Sequence, residues 1–330
     1  MARVFSMIQP SGKLGLGHYL GAIQHWKRLQ AQGEDCLFAI ANLHAITVPQ
    51  DPKVLKEHTL DLVAFYLACG IDPNQSQIFL QSDVSEHAEL AWVLSCITSL
   101  GELNRMTQFK DKSQNAKRER IGAGLLFYPS LMAADILVHQ AELVPVGSDQ
   151  KQHIEITRDL ALRFNQMFGD VFTLPQPYIA DMGARIMSLG DPDKKMSKSD
   201  SDANNYIALE DSAGLIQKKI MRAVTDSMNQ FQYAPETQKG LSNLIELYAC
   251  MTNESIDDIV SQFASGGYGV FKKALAKEVS EQVEGIYQQY LSIRSRPDDL
   301  HDVLQIGAKS ARISARETLD KVYQATGISV

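Results

Sequence analysis

Short apolar runs alternate with helical stripes through the first half of the chain, and only stripes follow in the second half. Val4–Ile8, Cys36–Ala41, Ile78–Gln81 and Leu143–Val146 have the length and apolar content of buried strands. Between them, Leu20, Ile23, Trp26 and Leu29 approximate one face of a helix beginning at His18. After Asp51-Pro52, Leu60, Val63, Ala64 and Leu67 stand at i, i+3, i+4 and i+7, and Leu90, Val93, Leu94 and Ile97 repeat that stripe. Tyr128–Leu137 is also helical in pattern, with Leu131, Ala134, Ile136 and Leu137 apolar and Asp135 among them. A carboxylate on such a face must find a partner or bear the desolvation cost alone. Strands separated by helices predict an α/β fold, a Rossmann-like parallel sheet covered on both faces. Residues 209–330 divide into successive helices broken near Pro235, Gly240, Gly266-Gly267 and Pro297. The last carries Ala315, Leu319, Val322 and Tyr323 on one face and is expected to fold back on the first domain. The expected division is a Rossmann-like domain over 1–190, with an insertion over roughly 82–130, followed by an all-helical region within 191–330.

Composition adds limits. Hydrophobic residues make up 45% of the 330, enough for a large core, and no uninterrupted apolar run of about 20 residues is available to span a membrane. The N-terminus passes from Arg3 directly into a strand, which predicts no signal peptide and a cytoplasmic protein. Cys36, Cys69, Cys96 and Cys250 are far apart and read as buried, reduced thiols rather than zinc ligands or disulfides, so no structural metal is expected. A net charge of −7 argues against nonspecific nucleic-acid binding. A nucleic-acid partner would need local basic patches. Candidates are Arg105–Arg120, then Lys218, Lys219 and Arg222, then Lys309, Arg312 and Arg316; each reads equally as a solvated helix face.

Two loops carry the candidate chemistry. Val4–Ile8 runs into Gln9-Pro10-Ser11-Gly12-Lys13-Leu14-Gly15-Leu16-Gly17-His18 and then a helix, the unit that offers backbone N–H groups to an anion. Its spacing fits neither the Walker A loop nor the dinucleotide fingerprint. Asp193–Asp200 packs Lys194, Lys195 and Lys198 with four small hydroxyl or carboxylate side chains after a turn-rich Gly190-Asp191-Pro192. Lysines so close repel one another unless an anion holds them, so this reads as a mobile loop that collects phosphate.

Lys195-Met196-Ser197-Lys198-Ser199 is the KMSKS signature of class I aminoacyl-tRNA synthetases, letter for letter, and Gly15-Leu16-Gly17-His18 resembles a degenerate HIGH signature. Tyr128-Pro129-Ser130-Leu131-Met132-Ala133-Ala134-Asp135-Ile136-Leu137 and Leu143–His153 closely resemble the tryptophanyl branch of that class, and similar segments extend over essentially the whole chain. The sequence departs from that branch at Met7, Gly15, His18, Leu43 and Ser148. The resemblance implies a homodimeric ligase that activates L-tryptophan with ATP, as its Mg²⁺ complex, to tryptophanyl-adenylate and pyrophosphate. It would then load tRNA(Trp), with an anticodon-binding helical domain.

Carried over position by position, Lys195, Lys198, Lys112 and His18 are the catalytic set. Gln9, Pro10, Ser11, Gly17, His18, Gly147, Ser148, Asp149, Ile186, Met196, Ser197 and Ser199 would surround ATP together with the two KMSKS lysines. Asp135 would accept the indole N–H and Met132 would pack on the ring. Phe5, His44, Tyr128, Val144, Val146 and Gln150 would complete the pocket, with Tyr128 and Gln150 toward the ammonium group. A tyrosyl sister enzyme and a non-enzymatic binding paralogue are the alternatives.

Overall fold

The computed structural model describes residues 1–114, 122–147, 150–178, 186–198 and 200–329, with side chains omitted for 111–114. The calls on Ser148, Asp149, Ser199 and the Lys112 side chain therefore lie outside the described residues, as does the basic run from Lys117 to Arg120.

Strand β1 (Arg3–Ile8) leads into a helical stretch of three parts: α1 (Leu16–His18), a π-turn (Tyr19–Ile23) and α2 (Gln24–Ala31). Then come β2 (Asp35–Ile40), α3 (Asn42–Ala45), α4 (Pro52–Ala68) and β3 (Ser76–Leu80). The next segment contains α5 (Glu86–Ile97), α6 (Leu100–Arg105), α7 (Thr107–Gln114) and α8 (Ala123–Leu137). β4 (Leu143–Pro145), α9 (Lys151–Phe168) and β5 (Gln176–Tyr178) finish the sheet. Among the described residues a 3₁₀ turn (Ala203–Asn205) and five α-helices follow: α10 (Ala213–Arg222), α11 (Lys239–Thr252), α12 (Ile256–Phe263), α13 (Gly267–Arg294) and α14 (Pro297–Thr326).

The sheet is parallel throughout, in the order β3-β2-β1-β4-β5. Successive residues of each strand point to opposite faces. Val4, Cys36, Phe38, Ile40 and Ile78 enter a core shared with α2, α4 and α10–α13. Their neighbours Phe5, Leu37, Ala39, Phe79 and Val144 enter a second core with α5, α8 and α9. Strand order reverses between β1 and β4, so the connections leaving the carboxyl ends of these two strands diverge and open a crevice.

The strand expected at Ile78–Gln81 ends one residue earlier. Gln81 opens a 3₁₀ turn (Gln81–Asp83), and its fully buried side-chain amide faces Asp135 instead of continuing the ladder. β5 has no apolar run to announce it: Gln176-Pro177-Tyr178 pairs with β4 while contributing one exposed and two half-buried side chains. Of the four cysteines expected to be buried, Cys36, Cys69 and Cys250 are, whereas Cys96 on α5 is exposed.

Helix α14 bridges the two cores. Leu300 and Leu304 belong to the first, and Ala308, Ala311, Ala315, Leu319 and Val322 to the second. In passing from one to the other it lies across edge strand β3, and Gly307 sits at the crossing. A Cβ there would meet the Ile78 carbonyl oxygen at 2.0 Å and its carbon at 2.7 Å. Arg312 and Arg316 face Glu86 and Glu89 of α5 at 3.9 and 4.0 Å, so these two cations of the third basic cluster bind the helix to its own protein. Lys219 likewise is not on a solvated face: it is 3% exposed and donates to Asp211 at 2.6 Å and the Tyr206 carbonyl at 2.8 Å.

Gly307→Ala should lower stability by about 3 kcal/mol, because backbone lies on the other side of the contact and cannot rotate away. Gly285→Ala in α13, where an added Cβ meets nothing within 4 Å, should raise it by about 0.5–1 kcal/mol. Urea unfolding of the two variants beside the unaltered chain checks both signs.

Candidate active site

A cavity of about 500 Å³ lies at the carboxyl ends of β1 and β4, within the usual size range of a small-molecule site. β1 and the residues after it supply Phe5, Ser6, Met7 and Gln9; β4 and its continuation supply Val144, Val146 and Gly147. The reversal of strand order thus places the cavity where an open parallel sheet can receive a ligand between diverging loops.

One end of the cavity is built by the two signature loops. Leu16 N donates to the Ile207 carbonyl at 2.8 Å and Leu209 N to that of Leu14 at 2.9 Å, fixing the glycine-rich loop to the segment after the lysine loop. Met187 and Lys195 pair across an antiparallel bridge, so Ile186–Met196 forms a hairpin. Met196 N donates to the Ile186 carbonyl at 2.9 Å and Ser188 N to that of Lys194 at 2.8 Å. Asn243 of α11 satisfies both backbone groups of Met187, at 2.8 and 3.0 Å, and so ties the hairpin to the helical region.

Met196 is buried and packs beside Gly17, its carbonyl oxygen 3.6 Å from where a Cβ on Gly17 would lie, an ordinary contact distance. Lys195, Met196, Ser197, Ser11, Gly17 and His18 all line this end. Lys198 does not; its Nζ reaches the Gly12 carbonyl at 3.4 Å, and burial pushes its ammonium below the ordinary lysine value. Pro10 and Ile186 are buried off the wall. The π-turn presents Gly21 and Ala22 to the cavity. Such turns recur at functional sites because the wider turn re-aims the backbone.

The other end is apolar, with a few placed polar groups. Met132 and Ile136 reach it from α8, one turn apart, beside Phe5, Val144 and Val146. Tyr128 lines it too, its hydroxyl 2.6 Å from His153 Nε2, and burial raises the phenol above its ordinary value. Gln150 stands at the N-cap of α9 and His44 on α3, both on the wall. Gln108 joins them from α7, and Lys112 stands one helical turn further along that helix. Sequence reasoning assigned no role to Ser6, Thr47 or Gln108, which also line the cavity.

Asp135 is not on the wall. It is fully buried behind His44, and both carboxylate oxygens are occupied. His44 Nε2 donates to Oδ2 at 2.7 Å; Gln81 Nε2 and His87 Nδ1 each donate to Oδ1 at 2.7 Å. Burial alone would raise this carboxyl, but the hydrogen bonds and charges of His44 and His87 outweigh it and hold it well below the usual carboxylate range. Among the described residues, no group of three or more His, Cys, Asp or Glu is arranged to hold a metal ion, and no helix is long and apolar enough to cross a membrane.

A parallel sheet with its cavity at the switch point, closed by a glycine-rich loop and a lysine hairpin, is the layout of a nucleotide-dependent ligase rather than of a generic binding domain. The family model for "tRNA synthetases class I (W and Y)" matches residues 1–284, and the chain belongs to that family. It is 49% identical over 328 residues, 99% of each chain, to the tryptophan–tRNA ligase of Caldanaerobacter subterraneus subsp. tengcongensis. Its structure resembles the crystal structure of tryptophanyl-tRNA synthetase from Mycoplasma pneumoniae with a TM-score of 0.94 and 39% identity, covering 100% of this chain and 98% of that one. It also resembles the Campylobacter jejuni tryptophanyl-tRNA synthetase complexed with ADP and tryptophan, with a TM-score of 0.81 and 36% identity, covering 98% and 99%.

Asp135→Asn should destabilise the protein by about 3 kcal/mol at neutral pH, since an amide N–H₂ must then face a donor in a buried site. The native carboxyl sits below its unfolded value of 3.8, so its contribution is complete above that value and fades as pH falls below it. The gap between native and variant should therefore narrow on going from about pH 7 to about pH 3.5. Unfolding midpoints at both pH values test this; a gap independent of pH would refute it.

Proposed function

We propose that this chain is a tryptophan–tRNA ligase: it activates L-tryptophan with ATP to tryptophanyl-adenylate and pyrophosphate, then transfers the amino acid to tRNA(Trp). The observation that carries this reading is the meeting of the two signature loops at one end of a single cavity whose other end is lined by Met132, Val144 and Val146. Membership of the tryptophan and tyrosine family and the near-full-length similarity to tryptophan–tRNA ligases support it. The Campylobacter jejuni relative bound to ADP and tryptophan supports a nucleotide and an indole amino acid as the occupants.

In the first step the tryptophan carboxylate attacks the α-phosphorus of ATP, forming a C–O–P bond as the bond to pyrophosphate breaks. No covalent enzyme intermediate is required. The protein positions the reactants and stabilises charge that develops on the phosphates. Lys195 and Lys198 neutralise charge on the leaving pyrophosphate, and Lys112 assists from α7. ATP arrives as its Mg²⁺ complex and is held by Gln9, Pro10, Ser11, Gly17, His18, Gly147, Ser148 and Asp149, with Met196, Ser197 and Ser199 of the lysine loop. The Ile186 backbone meets adenine.

His18 takes the phosphate- or ribose-facing role at the end of the glycine-rich signature. Met132, Phe5, Val144 and Val146 enclose the indole, and Asp135, off the wall, acts on it through His44, which it holds. Tyr128 and Gln150 serve the ammonium group. Residues 191–330 include the anticodon-binding helices, and residues 82–130 form the insertion in the catalytic domain. Trp92 on α5, Leu100 on α6 and Phe127 on α8 are exposed at 73%, 61% and 38%, and α8 packs against both other helices. These exposed side chains support a homodimer, and the reading as a translation enzyme supports a cytoplasmic location.

ATP–pyrophosphate exchange on the purified chain with all twenty amino acids tests the reading; selective exchange with tryptophan is the expected result. Lys195→Ala and Lys198→Ala should each lower the exchange rate by about one to three orders of magnitude while leaving tryptophan affinity without ATP almost unchanged. Near-native exchange in both variants would reduce the loop to a charged turn.

A further inference from the structure

Behind the cavity wall a chain of polar side chains runs from the amino-acid end to the last helix. Asp135 accepts from His87, whose other nitrogen lies 3.2 Å from His139 Nε2; His139 Nδ1 in turn lies 3.1 Å from Ser314 Oγ on α14. Asp135, His87 and His139 are fully buried, and both histidine rings pack against those of Phe5 and Phe79. Three histidines and a carboxylate in an apolar core are costly unless each polar atom is matched. His87 donates from Nδ1 to the carboxylate, and of the two facing Nε2 atoms of His87 and His139 one donates and the other accepts. His139 Nδ1 meets the Ser314 hydroxyl, which also lies 3.1 Å from the Ala311 carbonyl. Burial, then the neighbouring His87, hold His139 well below the ordinary histidine value.

The geometry divides Asp135 between two clients. Oδ2 holds His44, whose ring is on the cavity wall, while Oδ1 is held by Gln81 and His87, which are not. We propose that His87 is a positioning residue for the amino-acid pocket: with His139 and Ser314 it fixes the Asp135 carboxylate, and through it His44, to helix α14. This rests on the reading of the cavity as a tryptophan site and extends it to residues that touch no substrate. Without His87, one oxygen keeps only the Gln81 amide, the carboxylate can rotate off His44, and its charge loses one of the two histidines that offset burial. The titratable and charged groups meeting this cluster are His44 from α3, Asp135 from α8, His139 after it and Arg3 from β1, whose guanidinium donates to the His139 carbonyl at 3.2 Å. Glu86 and Arg312 lie at its α5–α14 margin.

Tryptophan-dependent ATP–pyrophosphate exchange on the full-length chain, from about pH 5.5 to about pH 8.5, tests the relay. His87→Leu should raise KM for tryptophan about tenfold and narrow the preference over phenylalanine, with kcat and the KM for ATP within about threefold of native. Its KM for tryptophan should climb further toward the acid end, where the native value stays flat, because a carboxyl relieved of His87 titrates at higher pH. His87→Asn, whose amide N–H₂ stands near the original Nδ1, should restore both the KM and the flat profile.

A folded His87→Leu with native KM, selectivity and pH profile, in a chain that does exchange with tryptophan, would overturn the relay alone. Absence of tryptophan exchange by the unaltered chain would overturn the functional reading and the relay with it. Should His87→Leu fail to fold, Ser314→Ala decides: a rise of about twofold to fivefold in KM for tryptophan, larger in acid, supports the relay, and no change overturns it.

Discussion

The reversal of strand order between β1 and β4 is the constraint on which the site depends. In a parallel sheet every strand must be reached by a crossover, and crossovers cover both faces. Where the order reverses, the chain leaves β1 for one face and β4 for the other, so no connection fills the gap between them. Phe5–Gln9 and Val144–Gly147 become opposite walls of the cavity for that reason. The apolar end takes its character from the core it opens out of, and the polar end from the backbone-rich loop that must turn sharply after β1. The lysine hairpin, bridged to the glycine-rich loop by way of Ile207 and Leu209, closes the gap from a third direction.

Most of this frame was legible in the residues. Four of the five strands announce themselves as apolar runs because a strand covered on both faces has no polar side to show. The helical stripes at Leu60–Leu67 and Leu90–Ile97 reappear in α4 and α5. β5 escaped notice because three residues with a central proline carry neither apolar content nor alternation. The pairing of Gly15 with Ala208 and of Met187 with Lys195 also left no trace. Such contacts join segments whose local preferences are those of loops, and only tertiary geometry brings them together. The basic clusters were ambiguous for a similar reason: charge says that a partner is needed, not whether the partner is solvent, an anion or the same chain.

The pocket shows a finer division. Residues whose type suits the ligand, such as Met132 or Val146, could be placed from the family resemblance and lie on the wall. The groups that hold them could not. His87 falls three residues before Leu90, on the apolar stripe of α5, and a histidine there reads as core filler. Gln81 reads as the last residue of a strand. Only the tertiary fold brings both to the same carboxylate oxygen. A buried carboxylate was flagged by pattern as needing partners, yet nothing in the pattern said that there would be three or from which elements they would come.

Helix α14 gives the molecule a particular history during synthesis. The sheet edge at Ser76–Leu80 and the apolar face of α5 leave the ribosome long before Pro297–Thr326, the segment that covers them. Until that segment emerges, the N-terminal portion carries an open strand edge and an incomplete second core, the surfaces through which partly made chains associate wrongly. Its emergence supplies the cover in a single thirty-residue piece. Closure of a sheet made early therefore waits for a helix made more than two hundred residues later, and a chain stalled between the two would hold both signature loops while its sheet edge stayed unprotected.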